Sequence, residues 1–183
     1  MRFDGKKEKF FINGASRHSP LNAALSVAAA IYCGCPLSNI KKRLKFIDLP
    51  ERRLAISNSL KGSILIDDSY NSNPASLKNA VDSLEGLKRK KICILGDMKE
   101  LGSDSQKIHQ EMYEYISERV DQIFCIGDEW STCSPNEKQD LSIFENQDDL
   151  YSHLISIIDK KTILLVKGSR STRMDLLADK LKE

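Results

Sequence analysis

The 183-residue chain predicts an α/β fold, Rossmann-like with a mostly parallel sheet, and three observations carry that prediction. From residue 50 onward, apolar runs of about five residues alternate with amphipathic stretches of about twelve, the rhythm of βαβ units. The apolar runs are nearly continuous rather than alternating, as in strands buried on both faces. Four of the runs end in polar loops, at 67–73, 96–102, 127–130 and 167–170, and a parallel sheet gathers such loops along one edge.

The elements follow in order. Residues 9–13 (KFFIN) have the composition of a short strand. Residues 19–34 are rich in alanine, with Leu21, Leu25, Ala28, Ala29 and Tyr32 at helical spacing. Pro20 and Gly34 punctuate the two ends of that helix. Residues 38–46 read as a shorter helix with Ile40 and Leu44 on one face. Pro50 breaks the pattern, placing a hinge near 49–53. Strands at 53–57 and 63–67 flank a turn holding Asn58 and Gly62. A helix over 74–87 puts Leu77, Ala80, Val81 and Leu84 on one face. A strand at 91–95 follows, then a helix over 104–120. Ser103 and Gln106 have the spacing of a capping box for that helix. Its inner face is expected to be Ile108, Met112, Tyr115 and Ile116. Strands at 122–126, 141–144 and 162–166 alternate with helices at 147–159 and at the C-terminal end, which present Leu150, Leu154, Ile157 and then Met174, Leu177, Leu181. Residues 1–49 are thus read as a helical remnant of something larger, and 50–183 as one doubly wound domain.

Composition bounds the function. The apolar share is 40%, the charged share 30% and the net charge +2, so no strong field favours nucleic acid or an anionic surface. The densest basic run, KRKK at 88–91, lies between a helix and a strand and reads as a solvated turn. There is no secretory leader pattern and no apolar run of membrane-spanning length. The five cysteines form no C-x-x-C pair, and Cys93 and Cys125 sit inside apolar strands as small hydrophobes. A reducing cytoplasm and a monomer are the expectation. His18, His109 and His153 show no zinc spacing.

The most informative stretch is SILIDDSYNSNP, 63–74. A buried strand ends in two carboxylates, followed by a polar loop and a helix start at Asn73-Pro74. An ionised carboxylate at such a strand end can accept two hydrogen bonds from a ribose diol. On spacing alone it is equally a strand end that caps the next helix. GDMKELG, 96–102, sets Asp97, Lys99 and Glu100 between two glycines, which on spacing alone is an ordinary loop with solvated charges. KGSRSTRM, 167–174, brings Lys167, Ser169, Arg170 and Arg173 to a helix entrance, where amides and cations favour an anion. No G-x-x-x-x-G-K-[ST] phosphate cradle occurs in the chain.

Taken together, RHSPLNAAL, DDSYNSNPASL, ILGDMKELG and KGSRSTRM resemble, in this order, the C-terminal part of the Mur ligase family, ATP-dependent amide ligases of peptidoglycan precursor synthesis. The DDSYNSNPASL string is most similar to the branch that adds D-alanyl-D-alanine to UDP-N-acetylmuramoyl-tripeptide. The resemblance implies ATP and Mg2+, bound mainly by an upstream domain that carries the phosphate cradle. It implies Asp68 on the ribose, Arg53 on the nucleotide (with Arg52 one position away), Asn22 on the adenine and Asn71 near the phosphates. Asn22 matches the second asparagine of the family's H-N-x-x-N segment, while Ser19 replaces the first. Lys167, Ser169 and Arg170 would face the amino substrate, with Lys167 or Arg170 on its carboxylate. The tripeptide nucleotide and D-alanyl-D-alanine are the implied partners, with no nucleic acid and no membrane insertion. The chain alone is expected to be inactive. The alternatives are a non-catalytic nucleotide- or partner-binding module, or a piece of another Mur-type or folylpolyglutamate-type ligase.

Overall fold

The computed structural model describes residues 2–3, 6–11, 19–46, 51–135 and 141–183. His18, Pro50 and the end of the predicted 9–13 strand lie outside them. The chain divides into two compact units, Met1–Pro50 and Glu51–Glu183.

In the first unit, the two-residue strands β1 (Arg2–Phe3) and β2 (Lys6–Lys7) pair antiparallel. The strand predicted over 9–13 is not formed at Lys9–Phe11, which are irregular. Helix α1 (Ser19–Tyr32) ends near Gly34, whose φ of 81° stops it. Helix α2 (Leu37–Leu44) follows. Val27, Ile40 and Leu44 are buried together, with Phe10, Ala30 and Ile31 against them. Of the apolar residues expected at helical spacing on α1, Leu21, Leu25 and Tyr32 are exposed. An alanine-rich helix is apolar nearly all round, so its sequence has no single stripe, and α2 selects the side carrying Val27.

The second unit is a six-stranded sheet in the order β3-β4-β8-β5-β6-β7. Its strands are β3 (Ala55–Asn58), β4 (Ile64–Asp68), β5 (Lys90–Gly96), β6 (Gln122–Ile126), β7 (Leu141–Phe144) and β8 (Thr162–Lys167). Only β3 runs antiparallel, paired with β4 at one edge. The helices are α3 (Pro74–Asp82), α4 (Ser105–Ser117), the short α5 (Asp128–Ser131), α6 (Gln147–Ile157) and α7 (Met174–Leu181). Strand parity sorts the core into two layers. Ile66, Cys93, Leu95, Cys125 and Leu165 face Leu77, Val81, Met112 and Ile116 of α3 and α4. Leu65, Ile94, Phe124, Leu164 and Val166 face Leu150, Leu154, Leu177 and Leu181 of α6 and α7.

Local chemistry accounts for the helix ends. Asn73 caps α3: its side chain accepts from the Ser76 N–H while the Ser76 hydroxyl accepts from the Asn73 N–H, and Pro74 occupies the first turn. The helix stops at Asp82, five residues short of the predicted end, and the chain turns at Gly86 with φ 77°. The capping box expected at Ser103 and Gln106 is absent. A 3-10 turn over Gly102–Asp104 leads into α4 instead, and Asp104 makes no side-chain cap. The buried face of α4 includes His109 and Tyr113, whereas Tyr115 is only half-buried. No helix among the described residues is long and apolar enough to cross a membrane.

Candidate functional site

The carboxyl edge of the sheet is built by the turns after β4, β5, β6 and β8. Asp67 and Asp68 end β4 with opposite parity, so they serve opposite faces of the sheet. Asp67 points toward the α7 side. Its Oδ1 accepts from the Ser69 hydroxyl (2.5 Å) and N–H (3.1 Å), and Lys182 lies 3.1 Å from Oδ2.

Asp68 points to the other face. Register puts it directly beside Lys167 on β8. Lys167 Nζ donates to Asp68 Oδ2 (2.5 Å) and to the Asn71 carbonyl (2.8 Å), and the lysine is only 2% exposed. Asp68 Oδ1 accepts from the Leu54 N–H at 3.0 Å. Arg52 and Leu54 both have left-handed backbones, φ 62° and 53°, a strained conformation that aims the Leu54 amide at this carboxylate. Burial pushes the Asp68 carboxyl up and the Lys167 ammonium down, each opposed by its attraction to the other.

The Arg53 guanidinium lies 4.3 Å from the centre of the Tyr70 ring, and both side chains are exposed. Its neighbour Arg52 is committed elsewhere, ion-paired to Asp175 and to Asp179 (2.9 Å). Asn71 is exposed, and its side-chain oxygen accepts from the Ser72 N–H at 2.9 Å.

Ser169, 4% exposed, ties three turns together. Its N–H donates to the Asp97 carbonyl (3.0 Å), and its hydroxyl accepts from the Lys99 N–H (2.8 Å) and donates to the Ser72 carbonyl (3.4 Å). Asp97 pairs with Lys99 at 2.8 Å. That hydrogen bond, more than the opposing desolvation, holds the Lys99 ammonium above its ordinary range. Gly127, φ 130°, passes so close that a Cβ there would lie 2.2 Å from Asp97 Oδ1.

His109 is fully buried. Its Nε2 accepts from the Met98 N–H (3.0 Å), so the proton sits on Nδ1, facing the Ser105 carbonyl (2.8 Å). Its ring meets Trp130 edge-on at 4.8 Å, and the indole donates to the Gly96 carbonyl (3.0 Å). These contacts make His109 a brace for the Asp97 loop. Burial pushes the Cys93 thiol up to about 12, which leaves it a core hydrophobe rather than a nucleophile.

A family description, "Mur ligase, glutamate ligase domain", matches residues 52–170. The chain belongs to the Mur ligase family. It is 32% identical over 173 residues to the UDP-N-acetylmuramoyl-tripeptide–D-alanyl-D-alanine ligase of Haemophilus influenzae, a match covering 91% of this chain and 37% of that protein. A crystal structure of MurF from Acinetobacter baumannii superposes with TM-score 0.82 at 30% identity, covering 93% of this chain and 39% of that one. A MurF ligase from Thermotoga maritima in complex with ADP shares the fold at TM-score 0.78 and 23% identity, covering 90% and 38%. The chain therefore spans well under half the length of these Mur ligases.

Of the expected site residues in this Mur ligase chain, the sheet edge brings Arg53, Asp68, Asn71, Lys167, Ser169 and Arg170 together. Asn22 is exposed on α1 in the first unit. Lys167 and Ser169, expected to face a substrate, have their polar atoms turned to neighbouring loops. Arg170 is 58% exposed on its side chain and pairs with Asp175 at 3.1 Å. Tyr70, Trp130 and Asp175 were not picked out by their spacing. Tyr70 is part of the 63–74 string, but nothing local says that Arg53 stacks on it; a lone tryptophan in a loop carries no motif, and Asp175 was hidden inside a helical pattern. Among the described residues no three His, Cys, Asp or Glu side chains form a metal site.

Proposed function

We propose that this chain supplies the C-terminal part of an ATP-dependent amide ligase of the D-alanyl-D-alanine-adding kind, acting on UDP-N-acetylmuramoyl-tripeptide in peptidoglycan synthesis. Residues 1–49 are the end of its central ATP-binding domain and 50–183 its C-terminal domain. The observation that carries the reading is Asp68. It stands at the carboxyl end of a strand in a parallel sheet, its side chain 13% exposed. Each carboxylate oxygen has one bond in place, and a carboxylate offers about four acceptor positions, so a ribose diol has two left to take. Arg53, stacked on Tyr70, offers a planar cation beside it for phosphate or ribose. Asn71 lies on the same turn, near where phosphates would pass. Arg170 is the exposed cation suited to the carboxylate of the incoming amine.

Phosphoryl transfer to make an acyl phosphate requires a cationic clamp and metal ions around the transferring group. The chain contains no phosphate-cradle motif, so it performs no ligation by itself, and Mg2+ is held chiefly by residues outside it. The chain's own contribution is to hold the nucleoside and to seat the amine. Incubated with ATP, Mg2+, UDP-N-acetylmuramoyl-tripeptide and D-alanyl-D-alanine, the pure chain is expected to form no product. Titrated with ADP, it should show amide NMR shifts at Arg53, Asp68 and Asn71, saturating at millimolar order, about 4 kcal/mol of binding. Product formation by the pure chain, or ADP shifts confined to other loops, would sink the reading.

A further inference from the structure

We propose that Lys167 is a positioning residue: its ammonium keeps Asp68 in the acceptor-only form and pins the turn from Asp68 to Asn71. The inference rests on the nucleotide reading for its use, but its physical basis is independent of it. A lysine with 2% exposure gives up nearly all its hydration, which is tolerated only where the charge is met by a partner. Here both recorded bonds go to one turn, to Asp68 Oδ2 and the Asn71 carbonyl. The first and last residues of the turn are thereby tied to the central strand β8. A side chain so enclosed has no face left for a substrate carboxylate, which moves Lys167 from substrate ligand to strut.

The charge matters as much as the geometry. A protonated Asp68 would spend one acceptor position on its own proton and lose the charge assistance of its hydrogen bonds. Burial drives Asp68 toward that neutral form. The Lys167 charge and hydrogen bond, then the Leu54 amide, oppose it, and Asp67 adds a small push the same way as burial. Arg53 is the other charge bearing on the pair, lowering Lys167 slightly. Lys167 is therefore the principal group opposing protonation of Asp68.

The test is a carboxyl 13C titration of Asp68 in the 183-residue chain, together with ADP affinity against pH. Lys167→Gln keeps a donor and removes the charge; Lys167→Arg keeps the charge. The glutamine variant is expected to raise the Asp68 midpoint by at least about one pH unit. It should bind ADP about tenfold more weakly than wild type at a pH below both midpoints, the equivalent of one pH unit, and regain wild-type affinity as pH rises through its own midpoint. The arginine variant should stay within about threefold of wild type, since the charge is kept. Should the glutamine variant not fold, Asp68→Asn supplies the reciprocal reading: the Lys167 midpoint, followed at Cε, is expected to fall by at least about one unit. An unmoved midpoint overturns the proposal, as does a loss of ADP binding that is equal at every pH, the mark of a merely structural role. If the midpoints move while Asp68→Asn leaves ADP affinity intact, the Lys167 inference stands and the ribose assignment falls.

Discussion

At the residue scale, acidic side chains organise the site, and each is controlled by how its charge is met. Asp175, 4% exposed on its side chain, accepts from Arg52 and lies 3.1 Å from Arg170 and 3.4 Å from Arg173. Burial alone would push its carboxyl up. The hydrogen bond from Arg52 and the charges of Arg170, Arg52 and Arg173 outweigh burial and hold it below the usual range. A lowered carboxyl contributes stability that is complete above its unfolded value, about 3.9, and is lost as pH falls through the lower folded value. Asp175→Asn is expected to cost about 2 kcal/mol at pH 7, as for a hydrogen bond to a charged group. That is less than the ~3–5 kcal/mol of an enclosed pair, because Arg170 and Arg173 are more than half exposed. Urea midpoints for variant and wild type should draw together as pH falls from about 3.9 through the lower folded value of Asp175. A gap that stays constant from pH 7 to pH 3 would contradict this origin.

At the scale of elements, the site depends on how closely the strand ends approach the turns. Gly96, the last residue of β5, and Gly168, just past β8, both face Thr172, whose hydroxyl would lie 2.5 Å from a Cβ at either position. Gly127 brings the turn after β6 against Asp97, and Trp130 follows it, fully buried. Gly127→Ala combines a Cβ on the Asp97 carboxylate with a backbone at φ 130° that L residues avoid. A loss of about 1–3 kcal/mol is expected, the usual cost of overpacking. Trp130 is the sole tryptophan, so its fluorescence reads the change directly, with emission shifting to the red as its pocket opens. An unchanged urea midpoint and emission maximum would show that the turn yields without cost.

At the scale of the whole molecule, the two units carry very different cores. Among the described residues, the buried apolar set of the first unit is Val27, Ile40 and Leu44, while the second unit buries two layers on either side of its sheet. Stability is distributed as burial is. Amide exchange should therefore be fast in α1 and α2 and slowest in β4, β5 and β8 around Ile64, Ile94 and Leu165. Exchange monitored by mass spectrometry on the intact chain decides this. Equal protection in α1 and β8 would mean the first unit draws on packing that its three buried residues do not supply.

The α/β class and the run of strands and helices from residue 50 were determined by the sequence, because a strand buried on both faces must be apolar along its length and a helix on a sheet must be apolar along one stripe. The polar turns at one sheet edge were legible for the same reason, and the four strings that resemble Mur ligases pointed to the family. Tertiary structure alone decided what those polar residues do. Lys167 and Asp68 are 99 positions apart, and nothing in either segment says that β8 inserts between β4 and β5. Once it does, register sets the two side by side, and the low dielectric between strand ends couples their charges. The exposed face of α1 was equally beyond reach, since an alanine-rich helix buries whichever side its neighbour covers. Local patterns record which surfaces must be covered; which residues cover them depends on contacts between segments distant in sequence.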